Sequence, residues 1–300
     1  MNDVVLLGAK DSIIYFFRYI DEVRHLSLYD YGKDRVIRDL RLFEDPKHLS
    51  DMQYVNYLSF HKDSLGYINY NERIYHCFSY KDLINGIVKY SSSPWMHADS
   101  YKPYKYRGKY IVVRAATTDD KTSSHMVYSP EGHKKKCYDF YPRVDLSLND
   151  QYHRQPYQVF WGNPVMNEEC GIFVHASQPS NTLTIIGVDE DYKLSVIKQH
   201  NNFNPNELTY DESAPKGQLI ISYTSSQATD NFFYLAYKGN EYQKDGKSHL
   251  LQYDWVGSLV KIIVINGDCR SFAVTPDDSM VYMMLYEEDK NNPQLIKSKI

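Results

Sequence analysis

Three connections between apolar segments are long enough to build a binding surface, namely residues 91–100, 141–158 and 200–217. The first two, and the segment just after the second, are rich in side chains that recognise ligands. The candidate binding residues are Trp95, His97, Asp99, Tyr152, His153, Arg154 and Trp161. Trp, Tyr and Arg carry much of the energy at interfaces, and aromatic rings present large apolar faces that also suit sugars. This set therefore predicts recognition of a protein or a carbohydrate.

The same segments support two other interpretations. Trp is highly buried on average, so Trp95 and Trp161 could instead pack beneath the long connections. The carboxylates Asp99, Asp150 and Glu168 could act as acid and base on a glycosidic bond if two of them lie roughly 5 to 9.5 Å apart. A non-catalytic binding module is our main hypothesis, and a glycan-active hydrolase or lyase is the alternative.

Motifs of established catalytic and metal sites are absent from the sequence. It contains no GxSxG nucleophile motif, no HExxH and no glycine-rich phosphate loop. Its 11 histidines form no pair at metal-binding spacing, and its 4 cysteines lie far apart without a CxxC. We therefore expect neither a metal nor a cofactor, and we expect the four thiols to be buried as small apolar side chains.

The composition is that of a folded, β-rich protein. Hydrophobic residues make up 42% of the 300 residues, and 29 Tyr suit the half-buried surface of strands. The net charge of −4, without a basic stripe, argues against a nucleic-acid partner. The sequence contains no apolar run of about 18 residues, so we predict no transmembrane segment. The one dense basic run, 134–136, is typical of an outer strand whose lysines prevent pairing with other chains, and we expect a monomer.

Two recurring patterns predict the elements that position these side chains. The first pattern is Asp-Ser followed by two small or apolar residues and then Tyr. It occurs at 11–15, 63–67 and 278–282, each time after an apolar segment. Asp and Ser side chains cap tight turns, so each copy predicts a β-hairpin.

The second pattern is an alternating strand, a polar turn and another strand. It places turn residues at Asp30, Ser79, Ser129, Asp189 and Asp254, at intervals of 49, 50, 60 and 65 residues. Propeller blades repeat at about 40 to 50 residues, with insertions that lengthen some copies. A helical solenoid would need amphipathic helices, and a β-sandwich would lack a recurring four-strand unit.

The predicted fold is therefore all-β, a six-bladed β-propeller of four-stranded antiparallel blades that forms a single domain over residues 1–300. We expect the last blade to lack its fourth strand, which residues upstream in a longer parent chain could supply. The predicted blades span residues 4–43, 54–90, 97–143, 157–203, 218–265 and 271–300.

The last third of the sequence resembles the TolB-like six-bladed propeller family of gut Bacteroidetes. The resemblance lies in an aromatic strand with a glycine turn at 231–239, an Asp-Trp-x-Gly hairpin at 249–257, and strands at 272–274 and 281–282. This chain departs from the family pattern at Gln252-Tyr253 and at Thr275-Pro276.

The resemblance implies a fold and no catalytic residues. Because members of the family usually look exported, often as lipoproteins, it implies a periplasmic or cell-surface location, with a cytoplasmic one as the alternative. A structural role in an envelope complex is a third functional hypothesis, which rests on analogy with TolB alone.

Overall fold

Six antiparallel sheets follow one another along the chain, and each is a simple up-and-down meander. The computed structural model describes residues 4–21, 23–42, 58–61, 63–69, 74–94, 100–114, 124–129, 133–143, 160, 162–178, 180–201, 223–238, 247–287 and 290–300. The sheets are arranged as the blades of a six-bladed β-propeller, which confirms the predicted fold class. The assignment of residues 1–300 to a single domain stays a prediction.

Within each blade the first strand lies at the axis of the propeller and the last strand lies outermost. Blade 1 contains β1 (Val5–Lys10), β2 (Ile13–Ile20), β3 (Val23–Asp30) and β4 (Arg35–Leu40). Blade 2 contains β5 (Leu58–Phe60), β6 (Ser64–Asn69), β7 (Ile74–Ser79), the helix α1 (Tyr80–Ile84) and β8 (Tyr90–Pro94). Blade 3 contains β9 (Ser100–Tyr106), β10 (Lys109–Arg114), β11 (His125–Tyr128) and β12 (Lys134–Tyr138).

The remaining blades follow the same order. Blade 4 contains β13 (Gly162–Asn167), β14 (Ile172–Ser177), β15 (Thr182–Val188) and β16 (Leu194–Asn201). Blade 5 contains β17 (Tyr223–Ala228), β18 (Phe232–Tyr237), β19 (Lys247–Asp254) and β20 (Leu259–Asn266). Blade 6 has three strands in the described part of the chain, namely β21 (Asp268–Val274), β22 (Met280–Glu287) and β23 (Lys290–Lys299).

The Asp-Ser-x-x-Tyr repeat forms the turn between the first and second strands of blades 1, 2 and 6. The Tyr of each copy lies on the second strand and is buried, as Tyr15, Tyr67 and Tyr282. The Asp278 carboxylate also joins two blades, since it accepts hydrogen bonds from Thr229 Oγ1 at 2.8 Å and Tyr234 Oη at 2.8 Å. The repeat therefore combines a tight turn with a side chain for the interface between blades.

The second pattern forms the turn between the third and outer strands. The Asp254 carboxylate accepts the backbone N–H of Ser258 at 2.7 Å, and Asp189 accepts that of Lys193 at 2.7 Å, so each closes its turn. Blade 2 differs from the prediction. Ser79 is followed by the short helix α1 instead of a strand, and the outer strand β8 begins only at Tyr90.

Side-chain packing between neighbouring blades forms the core. Among the described residues, six clusters of buried apolar side chains each join two adjacent blades around the ring. Because the described strands pair only with strands of their own blade, these clusters, together with side-chain hydrogen bonds, hold the blades together.

Blade 6 packs on blade 1 to close the ring. Leu6 and Ile14 contact Ala273, Tyr282 and Met284 in one of the six clusters. The backbone N–H of Leu6 donates to Ser271 Oγ at 3.1 Å, which links residues 265 positions apart in the sequence. We call this contact of blades 1 and 6 the closing interface.

Three further expectations can be compared with the structure. The basic run at 134–136 lies on β12, the outer strand of blade 3, as predicted. All four cysteines are free thiols, and of them Cys269 is buried, Cys77 is half-buried, and Cys137 and Cys170 are exposed, so the expectation of burial is confirmed for Cys269 alone. The two exposed thiols lie on the outer strand β12 and in the turn between β13 and β14. No helix in the described ranges has the length and apolar character needed to cross a membrane.

The closing interface can be tested with Ser271→Ala. This change leaves the buried N–H of Leu6 without its acceptor, which typically costs about 1–3 kcal/mol. We expect urea unfolding to show a loss of that size in the free energy of unfolding. Ser195→Ala, on the exposed face of β16, is the control and should change it by less than about 0.5 kcal/mol. Equal values for the two variants would contradict this account of the interface.

Candidate functional site

The binding residues predicted from the sequence fall outside the described ranges, so their role stays a prediction. They are Trp95, His97, Asp99, Tyr152, His153, Arg154 and Trp161. Of the candidate carboxylates, Asp99 and Asp150 also lie outside, whereas Glu168 is described and lines a cavity.

That cavity is the axial channel of the propeller. It has a volume of about 340 Å³ and is lined by the first strand of every blade or by the residues that directly follow it. Representative lining residues, one from each blade in order, are Lys10, His61, Tyr104, Glu168, Gln227 and Arg270. This polar cavity, to which all six blades contribute, is our candidate functional site.

The channel has two different ends. One end carries the turns that follow each first strand, at residues 11–12, 61 and 63, 107–108, 168–171, 229–231 and 275–279. The turns between third and outer strands lie at the same end, since neighbouring strands are antiparallel. We call this end the turn face. The seven predicted binding residues belong to two connections, from β8 to β9 and from β12 to β13. The strands on either side of each connection meet it at the opposite face.

His61 is a buried ionisable group in the channel wall. Its Nδ1 accepts the backbone N–H of Lys105 at 3.4 Å, so the proton is on Nε2, which donates to Tyr75 Oη at 2.5 Å. Burial and the nearby Lys105 charge lower the pKa of His61 to about 3. The imidazole is therefore neutral at physiological pH and serves as a fixed hydrogen-bonding group.

Gly66 makes room for this pair. A Cβ atom at this position would lie 1.8 Å from the Tyr75 hydroxyl oxygen and 2.9 Å from His61 Nε2. Any side chain at Gly66 would therefore displace both groups.

The carboxylate of Glu168 lies near His61. It follows β13 of blade 4, and its Oε1 lies 4.0 Å from His61 Nδ1 of blade 2. The side chain therefore extends past the first strand of blade 3, across one side of the channel. Because His61 is neutral, it does not compensate the charge of Glu168. Glu169 and Asp230 also line the channel at the turn face, together with Lys10.

Aromatic side chains form the wall next to these carboxylates. Tyr80 of α1 and Phe60 both line the channel, with their rings stacked at 5.9 Å between centroids. The Tyr80 side chain is 5% exposed, and its hydroxyl makes no hydrogen bond among the described residues. Burial, the Tyr15 hydroxyl and, more weakly, Glu168 raise the pKa of Tyr80 well above its usual value.

A pair of buried histidines lies between blades 3 and 4. The rings of His125 and His175 are 5.1 Å apart, and the Nε2 atom of each has no hydrogen-bond partner in the described part of the chain. Burial lowers the pKa of His175 to about 4 and lowers that of His125 well below its usual value. The His125 ring also packs against Phe173 and Phe140, so the pair contributes to the interface between the two blades.

The described residues contain no group of three or more His, Cys, Asp or Glu side chains that could hold a metal ion. Glu168 was a candidate at the sequence level, whereas the other residues of the channel wall were missed because they come from separate segments. A signal was nevertheless present at His61, which directly follows the strand Leu58–Phe60.

Fold and channel together define a six-bladed propeller with a polar axial cavity. Among solved structures, the chain is similar to a member of the DUF4221 family from Bacteroides vulgatus, with 9% identity, a TM-score of 0.56 and coverage of 100% of this chain and 93% of that one. It is also similar to a luciferin-regenerating enzyme, with 8% identity, a TM-score of 0.50 and coverage of 99% and 94%. At these identities the likeness concerns the fold alone.

No protein-family model matches the chain. No curated protein matches it either. Membership of the TolB-like family therefore stays a hypothesis.

The buried histidines predict how stability depends on pH. His61, His125 and His175 have lower pKa values in the folded protein than the usual 6.5, so the unfolded chain binds more protons below that pH. Their contribution is fully present above pH 6.5 and is lost as the pH falls towards 4. Between pH 6.5 and 5.5 we expect a loss of about 1 kcal/mol for each histidine.

Urea unfolding at several values between pH 7.5 and 5.5 measures this slope. In His175→Gln, the free energy of unfolding should fall less steeply with decreasing pH below pH 6.5, by about the contribution of one histidine. This difference in slope does not depend on how much the variant changes stability at pH 7.5. A native slope of zero, or an unchanged slope in the variant, would contradict the assignment of these histidines as neutral in the folded state.

Proposed function

We propose that this protein is a non-catalytic binding module of the bacterial cell envelope, and that its ligand, a protein or a glycan, binds at the axial channel. The observation that carries the proposal is the polar cavity of about 340 Å³ to which all six blades contribute. The envelope location rests on the sequence resemblance to the TolB-like family.

The construction of the channel wall suits binding. His61 is fixed by hydrogen bonds on both ring nitrogens, and the Gln227 amide donates to the Leu7 carbonyl at 2.6 Å. Side chains that are held in this way lose little freedom when a ligand binds, which lowers the entropic cost of association. Polar groups at fixed positions also provide specificity.

The alternative function is a glycan-active hydrolase or lyase. One observation favours this alternative. Glu168, which the sequence analysis named as a possible acid or base, lines the channel. The reaction would require a second carboxylate roughly 5 to 9.5 Å away.

Blocking the channel tests the proposal. Ala228 ends β17, is exposed and lines the cavity, so Ala228→Trp would fill the mouth without disturbing a packed side chain. Ser195→Trp, on the outer strand β16, is the control of equal bulk away from the axis. We would screen the native protein and both variants against an array of bacterial polysaccharides and an array of peptides from envelope proteins.

We expect the native protein and Ser195→Trp to bind the same ligand, and Ala228→Trp to lose it by at least about tenfold, because the bulky ring occupies the site. The proposal is wrong if no ligand binds on either array, or if Ala228→Trp binds as well as the control. Cleavage of a bound glycan by the native protein would instead establish the enzymatic alternative.

A further inference from the structure

We infer that β20, the outer strand of blade 5, pairs edge to edge with β20 of a second copy of this chain, so that the protein forms a twofold-symmetric dimer. This inference is independent of the function proposed above, because β20 lies at the rim of the propeller and the channel lies at its axis.

The side chains of β20 present an apolar surface to solvent. Six of its eight residues are Leu, Val or Ile, and Lys261 is its one charged residue. Four of the aliphatic side chains are between 47% and 59% exposed, namely Leu259, Val260, Ile262 and Val264. Val256, in the turn before the strand, is 65% exposed. Exposed aliphatic side chains that are concentrated on one element are typical of an interaction site.

The backbone edge of β20 is open in the described structure. β20 pairs with β19 on one side, and no described strand pairs with its other side. An outer strand carries a row of backbone N–H and C=O groups along its open edge, with which a strand of another chain can pair. Backbone hydrogen-bonding groups and apolar side chains are therefore available at the same place.

The other outer strands contain residues that oppose such pairing. Lysine and proline on an outer strand prevent it from pairing with other chains. β12 carries three lysines, β23 carries three lysines and a proline, and β8 ends at a proline. β4 carries two arginines and an aspartate, and β16 has Ser, Gln, His and Asn beside its one lysine. The monomer expected from the sequence rested on the lysines of β12, and β20 lacks this protection.

The sequence of β20 is complementary to itself in the antiparallel direction. A twofold axis at Ile263 places Ile262 opposite Val264 of the second copy, and Val264 opposite Ile262 of the second copy. Facing pairs of β-branched side chains stabilise antiparallel strands. In blade 5, Ile262 lies opposite Leu251 and Val264 lies opposite His249, so the two side chains share one face of the sheet. The twofold axis keeps them on the same face of the joint sheet.

The charge of β20 favours the same arrangement. In this register each Lys261 lies opposite Ile265 of the second copy, four positions from the other lysine, or about 13 Å along the strands. This separation exceeds the Debye length of about 8 Å at physiological salt, so the repulsion is screened. A parallel pair in register would instead place the two lysines side by side, about 4.8 Å apart. Because a twofold contact uses both edges once, assembly ends at the dimer.

Sedimentation velocity over a range of protein concentrations tests the dimer. Ile262→Lys and Val264→Lys each add a charge at an exposed position of β20. The matched control is Leu295→Lys on the outer strand β23, because Leu295 is 51% exposed and Ile262 is 52% exposed. Since no buried side chain is changed, all three variants should unfold at the same urea concentration as the native protein.

We expect the native protein to dimerise reversibly. Each β20 variant should weaken dimerisation by at least about tenfold, because the new lysines of the two copies meet within the paired strands. The control should weaken it by less than about threefold, because exposed charges far from a contact contribute little.

Amide hydrogen exchange of the native protein tests the backbone pairing and needs no variant. Alternate amides of β20 point away from β19 and should exchange at least about tenfold more slowly at concentrations where the dimer predominates. The amides of β23 should exchange at the same rate at all concentrations.

A native protein that stays monomeric up to about 1 mM would overturn the inference. Equal weakening by Leu295→Lys and the β20 variants would also overturn it, because the contact would then not be specific to β20. So would a dimer in which exchange of the β20 amides is unchanged, since the copies would then meet elsewhere. Growth into oligomers larger than a dimer would rule out the twofold contact.

Discussion

The closing interface of blades 1 and 6 is the contact on which the rest of the structure depends. The described strands pair only with strands of their own blade, so no strand is shared across this interface. The ring is closed by apolar packing and by a few hydrogen bonds, such as that from Leu6 to Ser271. An axial channel lined by six blades exists only while the ring is closed, because every blade contributes part of its wall.

The channel site follows from this architecture. Each blade contributes the end of its first strand and the turn behind it, and tight turns favour Asp and Asn for conformational reasons. Asp277 illustrates this, since its carboxylate accepts the Ser279 N–H and hydroxyl within the turn. The same preference accumulates negative charge at one face. At the axis, Glu168 and Glu169 add carboxylates to the channel wall, near the buried, neutral His61.

Much of the fold could be predicted from the sequence because its repeats are local. The Asp-Ser-x-x-Tyr turns and the Asp254 and Asp189 turns are short patterns whose geometry is set within a few residues. The helix α1 after Ser79 was not predicted, because a single helical turn has no periodicity to detect. Apart from Glu168, the side chains of the channel wall were not predicted, because the wall joins distant residues: Glu168 lies 4.0 Å from His61, and the Gln227 amide donates to the Leu7 carbonyl. Sequence reasoning instead selected residues of the long connections, and the seven chosen binding residues lie outside the described ranges.

The central claim is that ligand binds in the axial channel at the turn face. A crystal structure of the protein with the ligand identified on the arrays tests it most directly. The account predicts that the ligand lies in the axial channel, in contact with lining residues such as Ala228 and Asp230. A ligand bound along an outer strand, with the channel empty, would contradict it.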